Sequence, residues 1–296
     1  MNATDRTTRR HPLDREVAGI IGLLADERDF TAMRRYPTFA FTDHPAYLRQ
    51  IEDLLRARAA DGSHTSVALF DPTEFEEYCA AGGLDPDTPT SRAHFTASLA
   101  AAGAALAYRG QPLIDLVPDL ITASVRQATW EYATAVLADI GDCVVCGEDI
   151  GWSAYTRAAD LLLRIVDAIG SGDHHLVCSV STGTQPLLAV LTVTGIDATV
   201  DLDEGQAQEF TALLATGLAT GAPGGLVTRT TRPGDDDRVF GWRLRHWGLA
   251  PLTAAEVFDA YCTDATTGDL VSPESRVDYG TPPDLGEVDP PPGHRH

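Results

Sequence analysis

The amino-acid sequence predicts an α/β or α+β protein, in which an N-terminal mixed α/β layer precedes a helical segment and an antiparallel, hairpin-rich C-terminal portion. In the N-terminal part, helical patterns separate the apolar run 66–70 from the next such run, which is the rhythm of an α/β layer with parallel strand pairing. Between 118 and 169, apolar residues recur at helical spacing. Two apolar segments then flank the loop 233–237, which is rich in turn-forming residues, and predict a hairpin.

The N-terminal elements are predicted from apolar spacing and from capping residues. Apolar residues at helical spacing predict a helix over 11–25. A second helix is predicted over 45–60, with Asp43 as its N-cap. The strand at 66–70 ends at Asp71, where the next helix begins. The remaining elements predicted in this part are a helix over 91–103 and a strand over 104–108.

In the second half, the patterns predict helices alternating with hairpins. Thr253 and Glu256 have the spacing of a capping box and predict the start of a helix. After Gly268 the chain is rich in proline and polar residues, which predicts an unstructured tail. The elements predicted before this tail are helices over 118–140, 153–169 and 203–217, and hairpins over 174–194 and 226–247.

These patterns divide the chain into three portions with weakly marked boundaries. An α/β portion covers 1–140, a helix-plus-hairpin portion stabilised by zinc covers 141–270, and the tail covers 271–296. A single domain is the alternative, since the boundary near residue 140 is weakly marked.

Composition excludes several functions. All 22 basic residues are arginine, so the chain contains no Walker-A phosphate loop, no pyridoxal Schiff-base lysine and no protein-kinase lysine. The net charge of −21 disfavours direct binding to nucleic acid and favours a basic partner or a cationic substrate. The chain begins without the features of a secretory signal, and its five cysteines lack regular disulfide spacing. We therefore expect a cytoplasmic protein with reduced thiols and no membrane association.

Two short segments predict a zinc site. Cys143, Cys146 and Gly147 form a C-x2-C-G knuckle, in which glycine lets the chain turn so that both sulfurs face one point. His175 and Cys178 offer the other two ligands of a Cys3His site. His174 is the alternative ligand to His175. A regular strand here would turn His175 and Cys178 to opposite faces, so the site requires a turn at this point. The competing interpretation is that Cys178 is a small core residue and that the histidines bond to the backbone.

Two carboxylates are candidate catalytic residues. Glu148 follows the knuckle directly and would be the nearest base to a zinc-bound water. Asp71 follows a buried strand, where α/β proteins often place a catalytic carboxylate, although it is equally suited to cap the next helix. The sequence contains no motif of a serine hydrolase, a zincin protease or a Rossmann dehydrogenase.

The second predicted hairpin concentrates basic residues in an acidic chain. If its second strand is regular, Arg243, Arg245 and Trp247 share one face, and Arg229 lies on the first strand. This face could bind a small anionic ligand or an acidic patch of a protein partner. The alternative is that the arginines pair with acidic residues of the protein's own surface.

These observations favour an accessory or regulatory protein that acts by binding a partner or ligand, with zinc as its cofactor. The alternative is a metal-dependent hydrolase that uses Cys143, Cys146 and a histidine, with Glu148 or Asp71 assisting.

Overall fold

The fold is α+β, as a computed structural model shows for residues 19–183, 186–196, 199–263, 267 and 269–286. The chain divides into two compact units, Met1–Gln127 and Ala128–His296. The division falls inside a long helix, whereas the sequence patterns predict a boundary at residue 140, where that helix ends.

The first unit surrounds a three-stranded sheet in the order β1-β2-β3. Strands β1 and β2 are parallel, and β3 is antiparallel to β2. Its core is built from large apolar side chains that include Phe75, Ile51 and Leu116, all of them fully buried. The elements are β1 (Ile20–Leu23), α1 (Glu27–Met33), α2 (His44–Ala60), β2 (Ser66–Leu69), α3 (Pro72–Gly82), α4 (Pro89–Ala101), β3 (Ala105–Ala107) and the beginning of α5 (Leu113–Ile140).

Strand β1 replaces part of the helix predicted over 11–25, and that prediction was wrong for Ile20–Leu23. Residues 11–18 lie outside the described part of the chain. A parallel strand that is covered on both faces is a continuous apolar run, which has the same composition as a buried helical turn. The parallel pairing expected for the strand near residue 104 was also wrong, because β3 runs antiparallel to β2.

Helix starts are set by the residues that the sequence indicated. The side chain of Asp43 accepts the backbone N–H of Ala46 at the start of α2. The capping box at Thr253 is complete, with the Glu256 side chain accepting the Thr253 N–H at 2.8 Å. Each such cap satisfies amides that have no partner inside the helix.

The second unit contains a sheet in the order β10-β8-β7-β4-β5-β6, with β9 paired to β8. Most neighbouring strands are antiparallel, as the predicted hairpins require. The elements after α5 are α6 (Ile150–Ile169), β4 (Gly172–Ser181), β5 (Pro186–Ile196), β6 (Thr199–Leu202), α7 (Glu204–Thr220), β7 (Gly224–Thr231), β8 (Asp237–Arg245), β9 (Gly248–Pro251), α8 (Ala254–Tyr261) and β10 (Val277–Tyr279).

One face of this sheet packs against α7, which in turn packs against α6. Helix α7 is buried on nearly all sides from Glu209 to Ala219, as expected for a helix between a sheet and a second helix. Strand β4 alternates, so that Leu176, Cys178 and Val180 point into the core and the residues between them point to the opposite face.

The segment 271–296 was predicted to be unstructured, but its residues Val277–Tyr279 form β10, which pairs in parallel with β8. Tyr279 packs edge-on against Phe258 of α8, with ring centroids 5.4 Å apart. These contacts bury aromatic surface that a composition-based prediction overlooks. Residues 287–296 lie outside the described part of the chain.

Among the described helices, none combines the length and the apolar character needed to cross a membrane.

Candidate metal-binding site

The C-x2-C-G segment forms a tight hairpin between α5 and α6. Asp142 and Asp149 pair in an antiparallel bridge, and the Cys143 N–H donates to the Glu148 carbonyl at 2.8 Å. The Gly147 N–H donates to the Cys143 carbonyl at 2.8 Å, and Gly147 has φ 74°, which favours glycine. This hairpin, 142–149, is called the knuckle below.

Backbone amides of the knuckle point at its two sulfurs. The N–H groups of Cys146 and Val145 donate to the Cys143 sulfur and lower the pKa of that thiol, and the Cys146 thiol donates to it as well. The Glu148 N–H donates to the Cys146 sulfur. Desolvation and the neighbouring Cys143 sulfur outweigh this bond, and the net pKa of Cys146 is raised. The amide hydrogen bonds therefore make the Cys143 thiol easier to ionise than an ordinary cysteine.

The knuckle is exposed at its tip. Cys143 is buried and Cys146 is exposed, and Val144 is 100% and Val145 64% exposed. These two adjacent, largely exposed valines form a small apolar surface beside the sulfurs.

A cleft of about 500 Å³ adjoins the knuckle along the first turns of α6. Trp152 lies at this cleft and is 70% exposed, and its ring stacks on Tyr155 with centroids 6.4 Å apart. The residues that line the cleft are Glu148, Asp149, Trp152, Ser153, Thr156, Arg157 and Asp160. Spacing motifs did not indicate Trp152, although a tryptophan three residues after a capping aspartate could have marked it.

The structure does not bring the second predicted pair of ligands to the knuckle. Cys178 is fully buried in the core between Ala189 and Leu226 of the neighbouring strands, and burial raises its pKa to about 12. His175 lies on the opposite, exposed face of β4. The turn that the four-ligand site required is absent, because β4 is regular from Gly172 to Ser181. Within the described residues, no group of three or more His, Cys, Asp or Glu side chains is placed to hold a metal.

His174, the alternative ligand, is a buried structural residue. Its Nε2 is 2.9 Å from the Gly170 carbonyl, which can only accept, so Nε2 carries the proton. Its Nδ1 accepts from the Thr230 hydroxyl at 2.9 Å. Burial lowers the pKa of His174, since desolvation disfavours the charged ring.

This geometry predicts a loss of stability in mild acid. When folding lowers the pKa of a histidine, the unfolded state takes up a proton before the folded state does as the pH falls. The contribution of His174 to stability is therefore complete above its unfolded pKa of about 6.5 and is lost as the pH falls through the pKa of the folded state. Chemical denaturation between about pH 7 and pH 5 should therefore show a falling free energy of unfolding. His174→Gln should flatten this decline, whereas His175→Gln, at the exposed neighbouring position, should retain it. An unchanged slope in His174→Gln would contradict the assignment.

Two arginines of the predicted arginine face bind the protein's own carboxylates. Arg229 donates to Asp237 at 2.7 Å and binds Glu274 with two hydrogen bonds, of 2.9 and 3.2 Å. Arg243 pairs with Glu256 at 2.6 Å. These two arginines therefore pair with acidic residues of the protein's own surface, which was the alternative interpretation of the sequence.

Trp247 does not share the arginine face. It lies in the two-residue turn between β8 and β9, with φ 61°, and its side chain is buried in the core of the second unit. Strand β8 ends at Arg245, which is exposed, so the alternation that placed Trp247 beside Arg243 stops two residues too early.

The two candidate catalytic carboxylates have different roles. Asp71 caps α3 by accepting the N–H of Thr73 at 2.6 Å, as its alternative interpretation predicted. It belongs to the first unit, whereas Glu148 belongs to the knuckle of the second unit. The Glu148 backbone contributes to the knuckle at both ends, through its N–H to Cys146 and its carbonyl to Cys143.

Comparisons with known proteins concern the first unit. Residues 7–111 are similar to a protein family described as a domain of unknown function (DUF8829). These residues lie within the first compact unit, so the match does not include the knuckle. No curated protein and no solved structure matches the chain.

Proposed function

We propose that this chain is a cytoplasmic accessory protein that binds a partner through a zinc ion held on the knuckle. The observation that carries the proposal is the tight hairpin of the knuckle, closed by backbone hydrogen bonds between Cys143 and Glu148 and between Gly147 and Cys143, which presents Cys143 and Cys146 together with backbone N–H groups directed at their sulfurs. Amides fixed in this way stabilise the thiolate form, which is the form that binds zinc.

The partner would complete the coordination of the ion. Zinc in a structural site takes four ligands in a tetrahedron, and Cys143 and Cys146 provide two of them. Asp142, Glu148 and Asp149 flank the pair in the sequence, so their negative charge helps to balance a bound dication and favours a basic partner segment. The exposed Val144 adds an apolar contact beside the ion.

Cobalt substitution tests this proposal, because Co²⁺ takes the same tetrahedral sites and its absorption reports the number of bound thiolates. Adding Co²⁺ to the reduced protein should produce thiolate-to-cobalt charge transfer corresponding to two sulfurs per ion, and Zn²⁺ should displace it. Cys143→Ser and Cys146→Ser should both abolish the signal. Cys79→Ala, which removes a buried thiol of the first unit, is the matched control and should leave the signal unchanged.

Two results would contradict the proposal. One is the absence of thiolate charge transfer in the reduced wild-type protein. The other is a signal that survives in Cys143→Ser, because the sulfurs would then come from elsewhere in the chain.

A further inference from the structure

We infer that two copies of this chain associate by antiparallel pairing of the free edge of β5, residues 186–191. The inference is independent of the metal site. It depends on the hydrogen-bonding directions, the side chains and the charge of this edge.

Strand β5 is longer than the strand that covers it. Strand β6 pairs only with Val193–Ile196, and among the described residues no strand pairs with β5 on this side before Val193. An open strand edge presents backbone donors and acceptors that can pair with another chain.

The directions of the backbone groups follow from Thr192. Its N–H donates to the side-chain oxygen of Gln206 at 3.1 Å, so it points away from β4. In an antiparallel ladder this direction repeats at every second residue. The N–H and carbonyl groups of Val190 and Leu188 therefore also point to the open edge, while β4 pairs with the residues between them.

The side chains at this edge are apolar and exposed. Leu188 is 52% exposed and Val190 39% exposed, on the sheet face opposite α7. Val190 stands directly opposite Val177 of β4, and Val177 stands opposite Val227 of β7, so the apolar row continues inward across three strands. Cross-strand apolar pairs of this kind stabilise sheets.

The charge distribution indicates that the partner at this edge is a second copy of the chain. The chain carries a net charge of −21, yet 176–196 contains no Asp, Glu or Arg. Protein edges are commonly protected by charged residues, and this edge has none. It is therefore a place where two strongly acidic molecules can meet without placing like charges opposite each other.

The edge is also self-complementary. A two-fold axis through Ala189 would place Leu188 opposite Val190 of the partner subunit, with both side chains on the same sheet face. Each such pair exchanges two backbone hydrogen bonds, so the axis generates four. Pro186, which lacks an N–H, would mark the end of the paired segment.

Proline at position 190 tests the pairing selectively. It removes an N–H that β4 does not use, and proline is tolerated on an edge strand. We expect sedimentation equilibrium of the full chain, with chelator and reductant present, to show a concentration-dependent dimer for the wild type. Val190→Pro should weaken the association at least about tenfold, whereas Val190→Thr, which keeps the N–H and the branched side chain, should remain close to the wild type. Circular dichroism checks that each variant is folded.

A second variant covers the case in which Val190→Pro does not fold. Leu188→Arg places a charge on the edge without changing the backbone, and it should also abolish the dimer. A wild-type protein that is monomeric throughout would overturn the inference. A dimer that persists in folded Val190→Pro and Leu188→Arg would overturn it equally, because the subunits would then meet elsewhere.

Discussion

Replacing Cys178 with serine is expected to lower the free energy of unfolding by about 2 kcal/mol and to leave cobalt binding at the knuckle unchanged. Cys178 is fully buried, and Leu176, Val180, Ala189 and Leu226 are its neighbours along and across the sheet. A serine hydroxyl would lie among apolar side chains, where desolvating it costs more than desolvating a thiol. Chemical denaturation followed by circular dichroism measures the loss.

The matched control is Cys146→Ser, at the exposed end of the knuckle. In metal-free protein it should change the free energy of unfolding by less than about 0.5 kcal/mol, yet it should abolish the cobalt signal. Cys178→Ser should thus lower stability without affecting metal binding, whereas Cys146→Ser should abolish metal binding with little effect on stability. If Cys178→Ser abolished the cobalt signal in a folded protein, Cys178 would be a ligand and its placement in the core would be wrong.

Local signals in the sequence predicted the elements that depend on local chemistry. Asp43, Asp71 and the Thr253–Glu256 box mark helix starts through hydrogen bonds to amides two or three residues away, and each cap is present. Strand β1 depends instead on its pairing with β2, more than 40 residues later in the chain. No local pattern distinguishes such a strand from a short buried helix.

The same distinction between local and distant contacts applies to the candidate metal site. The hydrogen bonds that close the knuckle, from the Cys143 N–H to the Glu148 carbonyl and from the Gly147 N–H to the Cys143 carbonyl, are local, so the C-x2-C-G spacing indicated this turn. The proposed pairing with Cys178 required knowledge of where β4 begins. Because β4 is regular from Gly172, its alternation turns Cys178 to the core and His175 to the opposite face.

The composition of the sequence indicates that the edge of β5 is unusual, but the sequence does not indicate that this edge is free. The absence of charge between 176 and 196 can be read from the sequence. The strand order cannot, because β4 pairs with β7, which lies beyond an intervening helix, as well as with its hairpin partner β5. Only this order leaves β5 near the edge of the sheet with β6 covering part of it.

Gly151→Ala is expected to destabilise the second unit by about 2 kcal/mol and to weaken cobalt binding by about tenfold. A Cβ at Gly151 would lie 2.9 Å from the carbonyl carbon of Leu137 and closer still to its oxygen, so the backbones of α5 and α6 must separate. The overpacking costs about 3 kcal/mol, and the better helix propensity of alanine offsets about 1 kcal/mol. The knuckle joins these two helices, so separating them changes the positions of Cys143 and Cys146.

Gly82→Ala is the matched control, because it also adds a methyl group to a helical glycine. There the nearest atoms are side-chain carbons of Leu84 at 3.3 and 3.4 Å, which can move. We expect this variant to stay within about 0.5 kcal/mol of the wild type and to bind cobalt normally. Equal stability of Gly151→Ala and Gly82→Ala would show that α5 and α6 approach less closely than described. Normal cobalt affinity in a destabilised Gly151→Ala would show that the knuckle holds its geometry independently of the helices it connects.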